Sequence, residues 1–251
     1  MPLTIAQGAS PELVHYLPLA TTVLSAAFVL TLLARARRRR WAAHLVWWAV
    51  GIAFYGSGTA LEGTITLAGN SEGLNRLWYL FGAIWGAFPL GVGSMYLLCG
   101  RRVSNWIAAP MLAYVLVTSV LVLIAPMHTD LLPDHKPLGR GVFEWKWLPW
   151  STVAVNLYAV IFLIGGAGWS SIGFLVKHYN PRRAWGTGLI AFGAILPGIG
   201  GSMIKAGKGP EWLYVGEFVG LALICWGYYL CITAPKPVAA VASGEAVGPA
   251  V

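Results

Sequence analysis

The sequence predicts an all-helical integral membrane protein, a bundle of seven transmembrane helices. Three observations predict it: 57% of the residues are hydrophobic, only 10% are charged, and the apolar residues form long runs. A soluble domain carries about 25% charged residues, whereas a helix needs about 20 apolar residues to cross roughly 30 Å of hydrocarbon. Runs of that length occur at 13–34, 42–62, 77–99, 105–126, 148–176, 185–204 and 212–233.

Each run predicts a helix, because backbone groups in lipid must be satisfied within the segment. The short alternating segments of a transmembrane barrel are not seen. Residues 1–233 are therefore predicted to form one seven-helix transmembrane domain, and the small-residue segment 234–251 a disordered cytoplasmic tail. The longest connection, 127–147, lies next to Trp145, Trp147 and Trp150, which are predicted to mark a membrane interface.

The basic residues predict the orientation of the bundle. With the N-terminus outside, eleven of the 17 basic residues fall in inner segments, among them Arg35 and Arg37–Arg40. The positive-inside rule therefore favours an outer N-terminus and a cytoplasmic C-terminus in a plasma membrane of the bacterial type. The net charge of +8 is placed to meet anionic headgroups, so the predicted partners are membrane lipids rather than nucleic acid.

Glycines mark the predicted contact faces of the helices. Gly82-x-x-x-Gly86 and Gly216-x-x-x-Gly220 are spacings that let helix backbones approach closely in lipid, within the bundle or with a partner protein or a second copy. Pro197 is followed by three glycines within four residues, which predicts irregular backbone in the outer half of the sixth helix.

Carboxylates inside apolar runs are candidates for function, because they are costly in a membrane. Glu62 and Glu217 lie at similar depth in the outer halves of the second and seventh helices, with Tyr55, Thr59 and Tyr214 at helical spacing from them. We expect an outward-facing polar pocket that binds a small-molecule ligand. Further residues predicted to contribute are Trp78, Tyr79 and Trp85 as walls, Asn156 as a polar group, and Lys205 as a cation partner.

No metal, cofactor or catalytic residue is predicted. His128, Asp130, Asp134 and His135 share the long loop, but nothing in their spacing fixes a metal geometry, so we expect a solvated loop. His44 and His178 lie near helix ends, where haem ligation is not expected, and Cys99, Cys225 and Cys231 have neither disulfide nor zinc spacing. The motifs HExxH, GxSxG and the phosphate-binding P-loop are absent.

The predicted topology resembles that of rhodopsins and seven-helix receptors, and that of three-plus-one-plus-three transporters of the SWEET type. The seventh helix, WLYVGEFVGLALICWGYYLC, contains no lysine for retinal, and the motifs DRY, NPxxY and PQ are absent. A weak repeat relates helices two and three to helices six and seven. The first hypothesis is a sensor or receptor for a small molecule or lipid. Two alternatives stay open: a small three-plus-one-plus-three membrane transporter, with or without proton coupling, and an intramembrane enzyme or subunit of a membrane complex.

Overall fold

The computed structural model describes residues 12–139, 141–177 and 180–235, and in these ranges the protein is helical. A short 3-10 turn, Leu13–Tyr16, precedes the first long helix. The long helices are α1 (Leu17–Arg38), α2 (Ala43–Ala68), α3 (Glu72–Leu98), α4 (Gly100–Ile124), α5 (Leu148–Val176), α6 (Pro181–Lys205) and α7 (Glu211–Ile232). An isolated β-bridge between Met127 and Phe143 is the one extended pairing in the described ranges.

Six of these helices, all except α2, are long and apolar enough to cross a membrane. The chain is therefore a multi-pass helical membrane protein. Helix α2 has sufficient length, 26 residues, but its glycines, threonines, tryptophans and Glu62 lower its mean hydropathy. Length and composition alone thus identify six spans, one fewer than the sequence predicted.

The two ends of the bundle differ in charge. The end that carries the connection 125–147 is called here the loop end, and the opposite end, with Arg35 and Arg37–Arg40, the arginine end. Arg101 and Arg102 in the first turn of α4 also lie at the arginine end. Every carboxylate in the described ranges lies in the loop-end half, so the arginine end is purely basic there.

Exposed tryptophans form a belt near each end of the bundle. The members at the loop end are Trp147, Trp150 and Trp212, and those at the arginine end are Trp41, Trp106, Trp169, Trp185 and Trp226. Amphipathic tryptophan rings collect at membrane interfaces. On α5 the two belts are 19 residues apart, which is roughly 28 Å along a helix and matches the thickness of a bilayer core.

The connection between α4 and α5 is folded against the loop ends of α2 and α3. Asn75 is fully buried; its side-chain amide donates to the Leu138 carbonyl at 2.9 Å and accepts from the Leu138 amide at 2.8 Å. The guanidinium of Arg76 donates to the carbonyls of Val122 and Ala125, and the bond to Ala125 is 2.8 Å long. These bonds satisfy carbonyl groups at the end of α4 that have no partner within the helix. The described residues of the connection 125–147 are thus ordered against the loop end of α3, and they are called the cover below.

Two helices contain π-helical turns, at Tyr79–Trp85 in α3 and at Val160–Gly165 in α5. The irregularity predicted near Pro197 was wrong, because α6 is helical from Pro181 to Lys205. Pro197 lacks an N–H for the Gly193 carbonyl, and that carbonyl instead faces Gly220 of α7. The neighbouring helix therefore shields the group that the proline leaves unpaired.

Glycines bring α6 and α7 into backbone contact. A Cβ at Gly220 would lie 2.6 Å from the Gly193 oxygen, and one at Gly216 would lie 2.8 Å from the Leu196 oxygen. Gly82 of α3 likewise packs on Gly58 of α2, because the Gly82 Cα lies 3.0 Å from where a Cβ at Gly58 would be. Gly82, Gly216 and Gly220 thus contact other helices of the same chain, and an oligomer or partner contact through the glycine faces stays a prediction.

The α6–α7 contact generates the first prediction. Gly220→Ala should lower the free energy of unfolding by about 1–3 kcal/mol, because its methyl group has no space beside the Gly193 carbonyl. A thermal unfolding experiment in detergent measures this. Gly201→Ala is the matched control, because a Cβ there meets nothing within 4 Å; it should be neutral or stabilising. Equal destabilisation of both variants would contradict the packing argument.

Candidate functional site

Two carboxyl groups face each other between α2 and α7: Glu62 is buried, and Glu217 is half-buried with its Oε2 atom enclosed. Helix α2 ends at Ala68 and α7 begins at Glu211, so Glu62 and Glu217 each lie six residues from the loop end of their helix. At 1.5 Å per residue this is about 9 Å inside the helix end. Both carboxylates are therefore inside the tryptophan belt, at the depth of the hydrocarbon.

The carboxyl groups of Glu62 and Glu217 lie within hydrogen-bonding reach of each other. Glu62 is only 1% exposed. Both oxygens of Glu62 and Oε2 of Glu217 are buried without a donor in the described ranges. Since buried polar atoms are almost always hydrogen-bonded, the pair has unused capacity for a proton or a cation.

Hydroxyl groups of three helices surround the pair. The Tyr55 hydroxyl donates to the Glu217 backbone carbonyl at 3.2 Å. Thr66 Oγ1 donates to the Glu62 carbonyl at 2.8 Å and accepts from the Tyr214 hydroxyl, also at 2.8 Å. On the side of α1, a further hydroxyl pair is formed by Thr22 and Thr59, 2.9 Å apart.

These side chains, rather than backbone contact, connect α2 to α7. Both helices pack extensively on α1, but they do not pack extensively on each other. Toward the loop end, the interface between them consists of the bonds of Tyr55, Thr66 and Tyr214 together with the two carboxyls. Toward the arginine end, the Trp48 and Tyr228 rings are in contact, with centres 6.3 Å apart. The loop-end part is a polar layer inside an apolar bundle.

No cation neutralises the pair within the described part of the chain. The ion pairs found there are His15–Glu211 at 3.8 Å and Arg76–Glu72 at 2.6 Å, both at the loop-end surface. Nor do the described histidines, cysteines and carboxylates form any group of three that would hold a metal ion. The two carboxyls therefore have no basic partner among the described side chains.

The structure separates several residues that the sequence assigned to one pocket. Trp78, Tyr79 and Trp85 belong to a hydrophobic cluster with α4 and the cover; Trp85 donates to Ser119 at 2.9 Å. Asn156 is exposed on α5, and its role as a pocket residue stays a prediction. The side chain of Lys205 lies outside the described residues, and its prediction as a cation partner stays open.

Sequence reasoning missed Thr22 and Thr66. Thr66 was detectable, because it lies four residues after Glu62 and thus on the same face of α2. Thr22 had no such signal, since its role depends on how α1 packs against α2. The pair itself, with Tyr55, Thr59 and Tyr214, lies where the helical spacing placed it.

Comparison with known proteins gives no match: no protein-family model, no curated protein and no solved structure is significantly similar to this chain.

Tyr214 provides a test of the polar layer. Tyr214→Phe should lower the free energy of unfolding by about 1 kcal/mol, because it removes the bond to Thr66 and changes nothing else in shape. The melting temperature in detergent measures the loss. Tyr229→Phe, at an exposed position of the same helix, should leave the melting temperature unchanged. If both variants melt alike, the Thr66–Tyr214 bond contributes nothing.

Proposed function

We propose that this protein is a small membrane transporter that binds a proton or a monovalent cation at the Glu62–Glu217 pair. One observation carries the proposal: the buried carboxyl of Glu62 and the half-buried carboxyl of Glu217 lie together at hydrocarbon depth, with no basic partner in the described ranges. Charged side chains at such depth are costly, and in membrane proteins they mark ion and proton pathways.

Repulsion between the two groups limits what the pair can be. Two like charges about 4 Å apart repel by about 4 kcal/mol at an effective dielectric constant of 20. The pair is therefore stable with one shared proton, or with a bound cation that replaces it. Protonation of one carboxyl would also supply the hydrogen that the unpartnered oxygens lack.

The position of the pair supports transport rather than a purely structural role. Helices α2 and α7 meet there through side chains, so binding or release of a proton changes the interaction that connects them. Backbone-packed helices such as α6 and α7 have little freedom of this kind. The receptor hypothesis has less support, because the predicted aromatic walls pack in a separate cluster.

Infrared spectroscopy of the protein in liposomes tests proton binding directly. The wild-type protein should show the carbonyl band of a protonated buried carboxyl at neutral pH, and Glu62→Gln and Glu217→Gln should each remove it. Glu211→Gln is the control, since Glu211 is on the same helix at the loop-end surface and pairs with His15. Loss of the band on addition of sodium would identify the cation that replaces the proton.

Transport is tested in liposomes that contain a trapped pH indicator. A potassium diffusion potential should drive proton entry with wild-type protein, and Glu217→Gln should reduce the rate at least tenfold, about 1.4 kcal/mol in the barrier. If the protein shows the infrared band but no proton entry, it has the proposed proton-binding site and the proposed transport function is wrong.

We also propose that α2 crosses the membrane, as the seventh span, and that the arginine end faces the cytoplasm. Cys99 is exposed at the arginine end. In a chain with Cys225 and Cys231 replaced, a membrane-impermeant maleimide should label Cys99 only after cells are permeabilised. A Gly73→Cys chain without other cysteines, exposed at the loop end, should be labelled in intact cells. The reverse pattern would invert the orientation.

A further inference from the structure

An amide side chain lies on the outer face of α5. Asn156 is exposed, and the residues that share its stripe at spacings of three and four are Val153, Leu157 and Val160, which are 48–57% exposed. Val155, beside it in sequence, is fully buried. The stripe around Asn156 is therefore turned away from the bundle, and it is apolar except for this one amide.

The tryptophan belts fix the depth of Asn156 in the membrane. Trp150 belongs to the loop-end belt, and Asn156 follows it by six residues, which is about 9 Å along the helix. Trp169, in the belt at the arginine end, lies a further 13 residues along α5. An asparagine side chain is too short to reach the headgroups as a lysine or arginine does. Its amide is therefore in the hydrocarbon.

The side-chain amide of Asn156 makes no hydrogen bond within the described part of the chain. Exposed hydroxyl residues on other helices differ, because each donates to the carbonyl four residues earlier. These bonds are 2.9 Å long at Thr31 and Ser57, and 2.8 Å at Thr64 and Ser202. An amide in hydrocarbon without a hydrogen bond is strongly unfavourable, so its donors and its acceptor indicate a partner from outside the described ranges.

A second copy of this chain provides such a partner at the correct depth. Two copies inserted with the same orientation carry Asn156 at the same level, and a twofold axis along the membrane normal brings each interface residue near its counterpart. An amide has two N–H donors and one acceptor oxygen, so two amides can bond to each other. In lipid, asparagine side chains form such bonds across helices.

We propose that this protein forms a homodimer in which α5 crosses its counterpart at Asn156, with the two amides hydrogen-bonded to each other. Val153, Leu157 and Val160 form the rest of the contact through close packing, which is the main attraction between helices in lipid. The carboxyl pair lies between α2 and α7, so each copy keeps a complete pair, and the dimer does not depend on the proposed transport.

Energy transfer between labelled copies in liposomes measures the dimer. The full chain is labelled on Cys99, which is exposed at the arginine end, after Cys225 and Cys231 are replaced. Transfer in the wild type should fall with dilution in lipid along a monomer–dimer curve. Asn156→Leu should weaken the dimer about tenfold, because it removes both amides from the contact and keeps a side chain of similar size.

Two further variants separate the amide from general effects of substitution. Asn156→Gln retains donors and acceptor, so it should dimerise within about threefold of the wild type. Thr31→Val is the matched control at an exposed position of α1, because its hydroxyl is already bonded within its own helix; it should change the dimer less than twofold. Wild-type dimerisation by Asn156→Leu, or an equal loss in Thr31→Val, would overturn the proposal.

Disulfide cross-linking locates the contact independently. In a chain without the three native cysteines, Val160→Cys lies one turn from Asn156 on the same stripe, and copper phenanthroline should oxidise it to a cross-linked dimer in liposomes. Val219→Cys is the control, exposed on α7 at 40%, and should stay monomeric. Cross-linking through Val219→Cys alone would place the contact on α7 and contradict the proposal.

The wild type also has to be a dimer and no more. Transfer at the level of randomly distributed copies at every dilution would overturn the proposal, and so would a dependence on acceptor fraction that requires three or more subunits. Asn156→Leu should melt as the wild type does in detergent, because the position is exposed. If that variant does not fold, the cross-linking of Val160→Cys against Val219→Cys decides.

Discussion

The fold depends on close backbone contact between helices, because lipid provides no hydrophobic force to bring them together. In α6 and α7 that contact is possible only because glycines face carbonyl oxygens across the interface. Cα–H groups and carbonyls at such distances add weak attraction along the whole pair. The α6–α7 contact leaves Glu217 on the adjoining face of α7, toward α2, where the carboxyl pair is formed.

The same constraint explains why polar groups gather where glycines are not in contact. Helices α2 and α7 are separated by side chains, and the resulting space contains two carboxyls, two tyrosines and several threonines. A gap filled with apolar side chains would be a static core. Because the space between α2 and α7 contains titratable groups, protonation changes how these two helices interact. This dependence on protonation connects the fold to the transport that we propose.

Much of the fold could be predicted, because membrane spans are long apolar runs and each run proved to be helical. The exact ends of the helices could not be predicted. Helix α2 continues beyond Glu62 to Ala68 and includes threonines whose hydroxyls donate to carbonyls of the same helix. The π turns depend on tertiary packing and have no period in the sequence. The spacing of Glu62 and Thr59 predicted their shared face. The exposure of Asn156 could not be predicted, because one polar residue does not define which face of a helix meets lipid. Trp48 and Tyr228 come from different helices, and their ring contact could not be predicted without the structure.

The hydrogen bonds that hold the cover slow the exchange of its backbone amide hydrogens with solvent. Leu138 lies in a connection without regular structure, yet both its amide and its carbonyl are bonded to the side chain of buried Asn75. Amides exchange with solvent only when the local structure opens, so the Leu138 amide is expected to exchange as slowly as a helical one. Its exchange rate would then report how often the loop end of α3 moves away from the cover, and it offers a native, label-free measure of opening on that face of the protein.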